Sequence, residues 1–459
     1  MINKDTIAAI ATPLGSAGVS IIRISGKDSF KIAEKIFKSR NRTFSDLGVN
    51  TITHGFLVDP KDNREVDEIL ISKMKAPKTY TGEDTVEINC HGGIGVTKEI
   101  LNIVINNGAR LAEGGEFTKR AFFNGKIDLV QAEAVSDIIT ARTKEFKQTA
   151  FDSLKGKLSK RIGDIKEDII KLLSHLEVTI QYPEYDIEDL TDEEIVKILI
   201  TIKEKLQKLL ATFDKGEILK DGVNIAIIGK PNVGKSMLLN DLLGSEKAIV
   251  TDEAGTTRDV IDEVINIGGI PVKLFDTAGI RDTSLKVEKI GIEKSKDLMK
   301  SAKVILFVVD ASNALDKEDI KIFENTKGKK VIVVLNKIDL GINEETEKFF
   351  DEKGVDTIKI SALKGENIEK IDKKIYNIIS NDSGNELNDV LVSNERHKGL
   401  LNDAYKSVEN ALSNIDMGFE VDMVSIDINS ALEYLGEITG ENTSEQVIDD
   451  IFKNFCVGK

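Results

Sequence analysis

Val223-Asn224-Ile225-Ala226-Ile227-Ile228-Gly229-Lys230-Pro231-Asn232-Val233-Gly234-Lys235-Ser236 decides the reading of this chain. A largely apolar strand runs directly into a match to G-x-x-x-x-G-K-[ST], and an amphipathic helical run follows. Glycines let backbone N–H groups close around phosphate oxygens, while the helix N-terminus adds positive potential. Lys235 is placed to neutralise β- and γ-phosphates, and Ser236 to ligate Mg²⁺. Agreement of the motif with its strand and helix argues against a chance glycine-rich turn.

Further along, Asp276-Thr277-Ala278-Gly279 ends a strand, where an acidic group can reach Mg²⁺ through water and a glycine amide can meet a γ-phosphate. Asn336-Lys337-Ile338-Asp339 also follows a strand, and its aspartate can accept both hydrogen bonds from the guanine N1 and 2-amino groups. Ser361-Ala362-Leu363 resembles the loop that packs on guanine from the other side. In this order the motifs resemble the translation-factor-related GTPases. Between the first two lies Ala254-Gly255-Thr256-Thr257-Arg258-Asp259, a switch-like stretch in which Thr257 is the natural second Mg²⁺ ligand. Ile280 stands where Ras-like enzymes place a water-orienting glutamine, so water activation needs another group. Arg258 and Arg281 are either internal arginine fingers or partner contacts.

The surrounding chain is modular. At 459 residues, 41% hydrophobic and 31% charged, it suits several folded domains. We read an α+β N-terminal domain over 1–125, an all-α domain over 126–220 and 384–459, and a Ras-like α/β P-loop domain over 221–383 inserted into that helical domain. Gly18 to Ile24 and Glu68 to Met74 read as strands, and Ser29 to Phe37 and Val96 to Asn106 as helices. Leu154, Leu158, Ile162, Ile165, Ile169, Leu172 and Leu176 predict one long amphipathic helix, broken at Tyr182-Pro183-Glu184 and restarted after the cap Thr191. Gly92-Gly93-Ile94-Gly95 lacks the full dinucleotide-binding spacing and reads as a strand-to-helix turn.

Two cysteines, Cys90 and Cys456, suit free thiols in a reducing compartment. No apolar run approaches the ~20 residues needed to cross a bilayer, so a cytoplasmic location and no membrane contact are expected. Lysine and arginine number 63 against 78 acidic residues, a formal charge of −15. Binding a polyphosphate therefore requires a local basic patch or a more basic partner.

Pro231-Asn232, Gly255 to Asp259, Ile280 and the terminal Cys456-Val457-Gly458-Lys459 closely resemble the MnmE (TrmE) tRNA-modification GTPases. Gly18-Val19-Ser20-Ile21-Ile22-Arg23, Tyr80-Thr81-Gly82-Glu83-Asp84, His91-Gly92-Gly93 and Gly115-Glu116-Phe117-Thr118 extend the likeness over nearly the whole chain. The departures, Val457, Gly114 and Gln181-Tyr182, remove none of the chemical groups involved.

This resemblance implies a K⁺-dependent GTPase whose nucleotide contacts are Asn232, Val233, Gly234, Lys235, Ser236 and Met237, then Thr251, Asp252, Glu253, Ala254, Gly255, Thr256 and Thr257. Asp276, Thr277, Ala278 and Gly279, with Asn336, Lys337, Asp339, Ser361, Ala362 and Leu363, complete the implied set. It assigns K⁺ to Asn232, Thr251, Glu253 and Thr256, Mg²⁺ to Ser236 and Thr257, and water orientation to Glu288.

Within the N-terminal domain the resemblance implies constitutive homodimerisation and a folate-binding pocket at Arg23, Glu87, Lys126 and Lys459 for a tetrahydrofolate one-carbon donor in its methylene or formyl form. Cys456 is left without an assigned role. The implied partner is an MnmG-type FAD protein that supplies FAD and NADH in a heterotetramer, and the substrate is tRNA. The products are aminomethyl or carboxymethylaminomethyl groups at carbon 5 of the wobble uridine. A GTP-hydrolysing ribosome-assembly switch is the alternative, whose usual mark is an appended basic RNA-binding domain.

Overall fold

The computed structural model describes residues 5–40, 42–181, 191–244, 263–276, 302–381 and 390–458, with backbone alone at 178–181, 276 and 381. Two compact units emerge: Met1–Ser136, Ser153–Lys203 and Leu400–Lys459 form one, and Asp137–Asp152 with Glu204–Gly399 the other. In sequence, the main segment of the second unit interrupts the first.

The first unit is built on β1 (Ile7–Ile10), β2 (Ala17–Ser25), β3 (Phe37–Lys38), β4 (Thr51–Asp59), β5 (Arg64–Met74), β6 (Thr85–Gly92) and β7 (Arg110–Leu111). Their order is β3-β4-β5-β6-β2-β1-β7, antiparallel throughout except for β1 against β7. Side chains alternate across a strand, so Ile69 and Ile71 are buried while Leu70 between them is exposed. Helices α1 (Ser29–Ile36) and α2 (Ile94–Asn106) contribute Ile32, Ile36, Ile100 and Val104 to a core with Ile22, Ile24, Ile71 and Ile88. The opposite sheet face carries Val19, Ile52 and Leu70, exposed at 57%, 68% and 46%. Gly92 ends β6 and Gly93 caps α2, as the strand-to-helix reading expected.

Next come α3 (Glu116–Phe123), α4 (Leu129–Thr140), α5 (Lys144–Leu154), α6 (Lys157–Gln181) and α7 (Asp192–Leu210). The long helix read from Leu154 onward is α6 from Leu158 to Leu176, whereas Leu154 is the last residue of α5. Gly156, at φ +80, interrupts the backbone between α5 and α6, a conformation glycine adopts without a Cβ penalty. Along α6 the spacing holds, with Leu158, Ile162, Ile165, Ile169, Leu172 and Leu176 all buried. Thr191 caps α7 reciprocally: its Oγ1 accepts from Glu194 N at 3.3 Å, and Glu194 Oε2 accepts from Thr191 N at 2.9 Å.

The second unit contains α8 (Phe213–Asp221), β8 (Val223–Ile228), α9 (Lys235–Leu243), β9 (Glu263–Ile267), β10 (Ile270–Asp276), β11 (Val304–Asp310), α10 (Lys317–Glu324), β12 (Lys330–Asn336), α11 (Glu344–Glu352), β13 (Asp356–Lys359) and α12 (Ile368–Asn381). Its strand order is β13-β12-β11-β8-β10-β9, with only β9 antiparallel to its neighbour. Ile225 and Ile227 pack with α9 and α12 residues in one core, and Ala226 and Ile228 pack with Phe307 and Phe350 in the other. Burial on both faces explains the unbroken apolar strands of the sequence. Because the five parallel strands point one way, the loops after β8, β10, β11, β12 and β13 gather at one sheet edge.

The chain then passes through α13 (Glu395–Asp416), α14 (Val421–Thr439) and α15 (Glu445–Lys453). In the first unit α6 packs along α14, and Leu129 and Ala132 of α4 share a small core with Ile448 and Phe452 of α15. Among the described residues no helix is long and apolar enough to cross a membrane.

Gly222, immediately before β8, has φ +78, and a Cβ there would lie 2.3 Å from the Pro271 carbonyl oxygen. Gly222→Ala is expected to cost about 1–3 kcal/mol. The measurement is the midpoint of the calorimetric transition that guanine nucleotide shifts, and an unlowered midpoint would contradict this close approach.

Candidate functional site

Strand β8 delivers Gly229, at φ +149, where a Cβ would lie 2.3 Å from the Val308 carbonyl oxygen. The loop then turns through Asn232 at φ +64 and Gly234 at φ +99, and Gly234 caps α9. Such consecutive turns aim backbone N–H groups into one concavity, the shape that receives phosphate oxygens. Lys235 is buried and its Nζ donates to the Lys230 carbonyl at 2.6 Å, folding the ammonium back over its own loop. Ser236 is exposed at the first turn of α9. This donor set fits a nucleotide phosphate chain with Mg²⁺ on the serine hydroxyl.

Asn336 ties three loops together. Its Nδ2 donates to the Val233 carbonyl at 2.8 Å, and its Oδ1 accepts from Ala362 N at 2.9 Å. A Cβ on Gly234 would stand 2.2 Å from that same Nδ2, so the second glycine of the motif makes room for the brace. Ser361 Oγ donates to Asp339 Oδ1 at 2.6 Å, fixing the carboxylate assigned to guanine. Lys337 has φ +66, and its ammonium donates to Asp310 Oδ2 at 2.7 Å. Leu363 and Met237 are exposed. Asp276 pairs in register with Ile227, which puts the end of β10 beside the end of β8.

Sequence reasoning missed Asp310 and Lys230. Asp310 ends β11 and takes Ser312 N at 3.0 Å and Ser312 Oγ at 2.6 Å besides Lys337. Lys230 reaches Asp316 and Asp319, both at 2.7 Å, in the capping box that opens α10. Neither contact has a local signal, since the partners lie far apart in sequence. Thr251, Asp252, Glu253, Ala254, Gly255, Thr256, Thr257, Arg258, Thr277, Ala278, Gly279, Ile280, Arg281 and Glu288 lie outside the described residues.

A second cluster lies in the first unit. Arg23 on β2 faces Glu87 on β6 in register, with Nε donating to Oε1 at 2.8 Å. Arg23 Nη1 also donates to the Gly458 carbonyl at 3.3 Å, so the C-terminal segment adjoins this pair. Gly114 bridges Val457, and Gly115 N donates to the Cys456 carbonyl at 3.3 Å; Cys456 is a free, exposed cysteine. The guanidinium stands 5.8 Å from the Tyr80 ring centroid and 5.6 Å from that of Phe117. These aromatics sit in the stretches Tyr80 to Asp84 and Gly115 to Thr118, which the sequence singled out without giving the rings a role. Lys126 Nζ donates to Pro77 O at 3.0 Å, on the loop that carries Tyr80. Lys459 is outside the described residues.

A phosphate loop, a guanine-type Asn-Lys-x-Asp motif and a doubly covered parallel sheet define a Ras-like P-loop GTPase that carries an α+β part and a helical part. Residues 6–126 match the family described as GTP-binding protein TrmE N-terminus, and residues 129–456 match the MnmE helical domain. The tRNA modification GTPase MnmE of Acetivibrio thermocellus is 48% identical over 461 residues, covering 100% of both chains. Those of Thermoanaerobacter pseudethanolicus and Clostridioides difficile are 49% identical over 99% of each chain and 47% identical over 100% of each chain. The chain belongs to the MnmE family of tRNA modification GTPases.

Burial pushes the Asp310 carboxyl up, but the Lys337 ammonium and the two bonds from Ser312 outweigh it and hold the group below the usual carboxylate range. A depressed carboxylate stabilises the folded arrangement above its ordinary pKa, and that contribution disappears as pH falls through the lowered value. Asp310→Asn is expected to weaken fluorescent GDP binding about tenfold near neutral pH. The gap between wild type and variant should stay constant down to about pH 5 and close below about pH 4. Titrations across that range check it, and equal affinities at neutral pH would remove Asp310 from the site.

Proposed function

We propose that this chain is a K⁺-dependent GTP hydrolase that works with an MnmG-type FAD protein to install an aminomethyl or carboxymethylaminomethyl group on carbon 5 of the tRNA wobble uridine. The observation that carries the reading is the pairing, in one chain, of a guanine-type phosphate site with the Arg23–Glu87 cluster that adjoins the C-terminal Gly458. A switch lacking RNA chemistry has no use for the second cluster.

In this reading Lys235 and the loop amides hold the phosphates, Ser236 and Thr257 bind Mg²⁺, and Asp339 selects guanine. Asn232, with its left-handed backbone, offers its side chain to K⁺ together with the carbonyls of Thr251, Glu253 and Thr256. Bound cations supply charge neutralisation where an arginine finger otherwise acts. Glu288 orients the water, because Ile280 has no polar group for the task. Arg23 and Lys126 are cations suited to the glutamate carboxylates of a tetrahydrofolate donor, and Glu87 can accept from a pterin N–H edge. Lys459, next to Gly458, adds a further cation. The folate supplies the one-carbon unit, and FAD and NADH on the partner supply the redox equivalents.

The exposed apolar face bearing Val19, Ile52 and Leu70 supports homodimerisation through the N-terminal sheet, since a second copy would remove that surface from water. The α+β, helical and inserted G domains divide at 1–125, 126–220, 221–383 and 384–459 in this scheme. A cytoplasmic location follows from the proposed tRNA substrate.

Deleting the gene should abolish the wobble-uridine modification seen by nucleoside mass spectrometry; wild type should restore it, and Arg23→Ala should not. Unaltered tRNA after deletion would defeat the modification reading. Glu288→Ala should bind GTP normally yet lose hydrolysis by at least about a hundredfold in single turnover with saturating K⁺. Undiminished hydrolysis there would remove Glu288 from its role.

A further inference from the structure

The turn between α13 and α14 presents an apolar tip in an unusually one-signed stretch of chain. From Ser407 to Phe452 there is no lysine, arginine or histidine, against eleven aspartates and glutamates. Cations from other helices meet some of these: Lys203 pairs with Glu409 at 2.8 Å, Lys119 with Asp449 at 2.6 Å, and Lys166 with Glu441. At the tip, Asp416, Glu420 and Asp422 are exposed and meet no cation among the described residues.

Amid these charges, Met417 is 69% exposed and Ile426 61%, and Phe419 and Met423 are each half exposed. Phe419, Met423 and Ile426 follow the three-and-four spacing of one helical face, continuing from the turn onto α14. Beside them a small cavity of about 110 Å³, lined by Leu176, Ile195, Ile415, Phe419 and Val424, can take one aliphatic side chain. Large apolar groups clustered in water mark an interaction surface, and flexible methionines adapt to the shape of a partner. The sign of the surrounding charge selects that partner. RNA and anionic membranes are repelled, and a surface rich in lysine and arginine is attracted.

We propose that the α13–α14 tip docks a cationic protein surface carrying an apolar anchor, and that its occupant is the FAD-bearing partner; the second part rests on the partner reading above. This chain has a formal charge of −15, so the cations that hold a polyanionic tRNA in the complex belong mainly to the partner. The acidic rim steers that partner into place, and the apolar tip supplies the anchor contact.

The test measures the affinity of the purified full-length chain for the purified FAD protein at low and high salt. It compares wild type with Phe419→Ser/Ile426→Ser and with Glu420→Lys/Asp422→Lys. Each pair is expected to weaken binding at least about tenfold, and the charge reversal should also flatten the salt dependence. Intrinsic GTP hydrolysis and dimer mass should match wild type in both, because all four side chains are exposed and remote in sequence from the nucleotide site. Wild-type affinity in both variants would overturn the docking surface and leave the partner reading standing. No binding by the wild-type chain would overturn both. Loss of direct tRNA binding with unchanged affinity for the FAD protein would overturn it in favour of an RNA contact.

Discussion

The nucleotide site depends on one buried amide. Asn336 sits at the end of β12, donates to the carbonyl of Val233 and accepts from the amide of Ala362. A buried polar group left unpaired costs on the order of 1–3 kcal/mol, so this side chain holds the phosphate loop and the Ser361 loop in one register. The parallel sheet makes that possible by ending its strands at a common edge. Gly234 completes the arrangement by lacking a Cβ where Asn336 approaches. Lys230 and Lys337 extend it, anchoring to Asp316 and Asp319 on one side and to Asp310 on the other. The phosphate loop is thus fixed by Asn336 on β12 and by the capping box of α10 as well as by its own backbone, while Asp310 on β11 holds Lys337.

The Arg23 cluster follows a comparable logic in the first unit. Adjacent antiparallel strands put Arg23 opposite Glu87, two aromatic rings flank the guanidinium, and the carbonyl of Gly458 takes another of its N–H groups. Gly458 has φ +94, and a Cβ on it would lie 2.4 Å from the Ile10 carbonyl oxygen. The tail is therefore seated where only glycine can pass. Its neighbours Cys456 and Val457 are held by backbone contacts to Gly115 and Gly114, which explains how a chain terminus comes to lie beside a strand near the start of the sequence.

Charge is distributed unevenly around these sites. Lys230 and Lys235 lie in the phosphate loop, while every charged residue from Ser407 to Phe452 is acidic. A protein with this balance favours cationic protein surfaces over bare nucleic acid.

By itself the sequence determined the parallel sheet, the phosphate loop and the Asn-Lys-x-Asp motif, because each is a local pattern: continuous apolar strands, glycines at fixed spacing, an aspartate just past a strand. It also marked Thr191 as a cap, whose partner Glu194 lies within one helical turn. It found the long helix α6 but joined Leu154 of α5 to it, since apolar spacing passes unbroken across Gly156 while the backbone there turns at φ +80. Arg23 and Glu87 were reached through family likeness, as nothing local joins residues so far apart. Only the tertiary structure decided that Asp310 holds Lys337, that Asn336 spans Val233 and Ala362, and that Tyr80 and Phe117 flank Arg23. Those contacts join positions brought together by strand pairing and chain reversal, and residue spacing along a chain does not encode distance across a sheet.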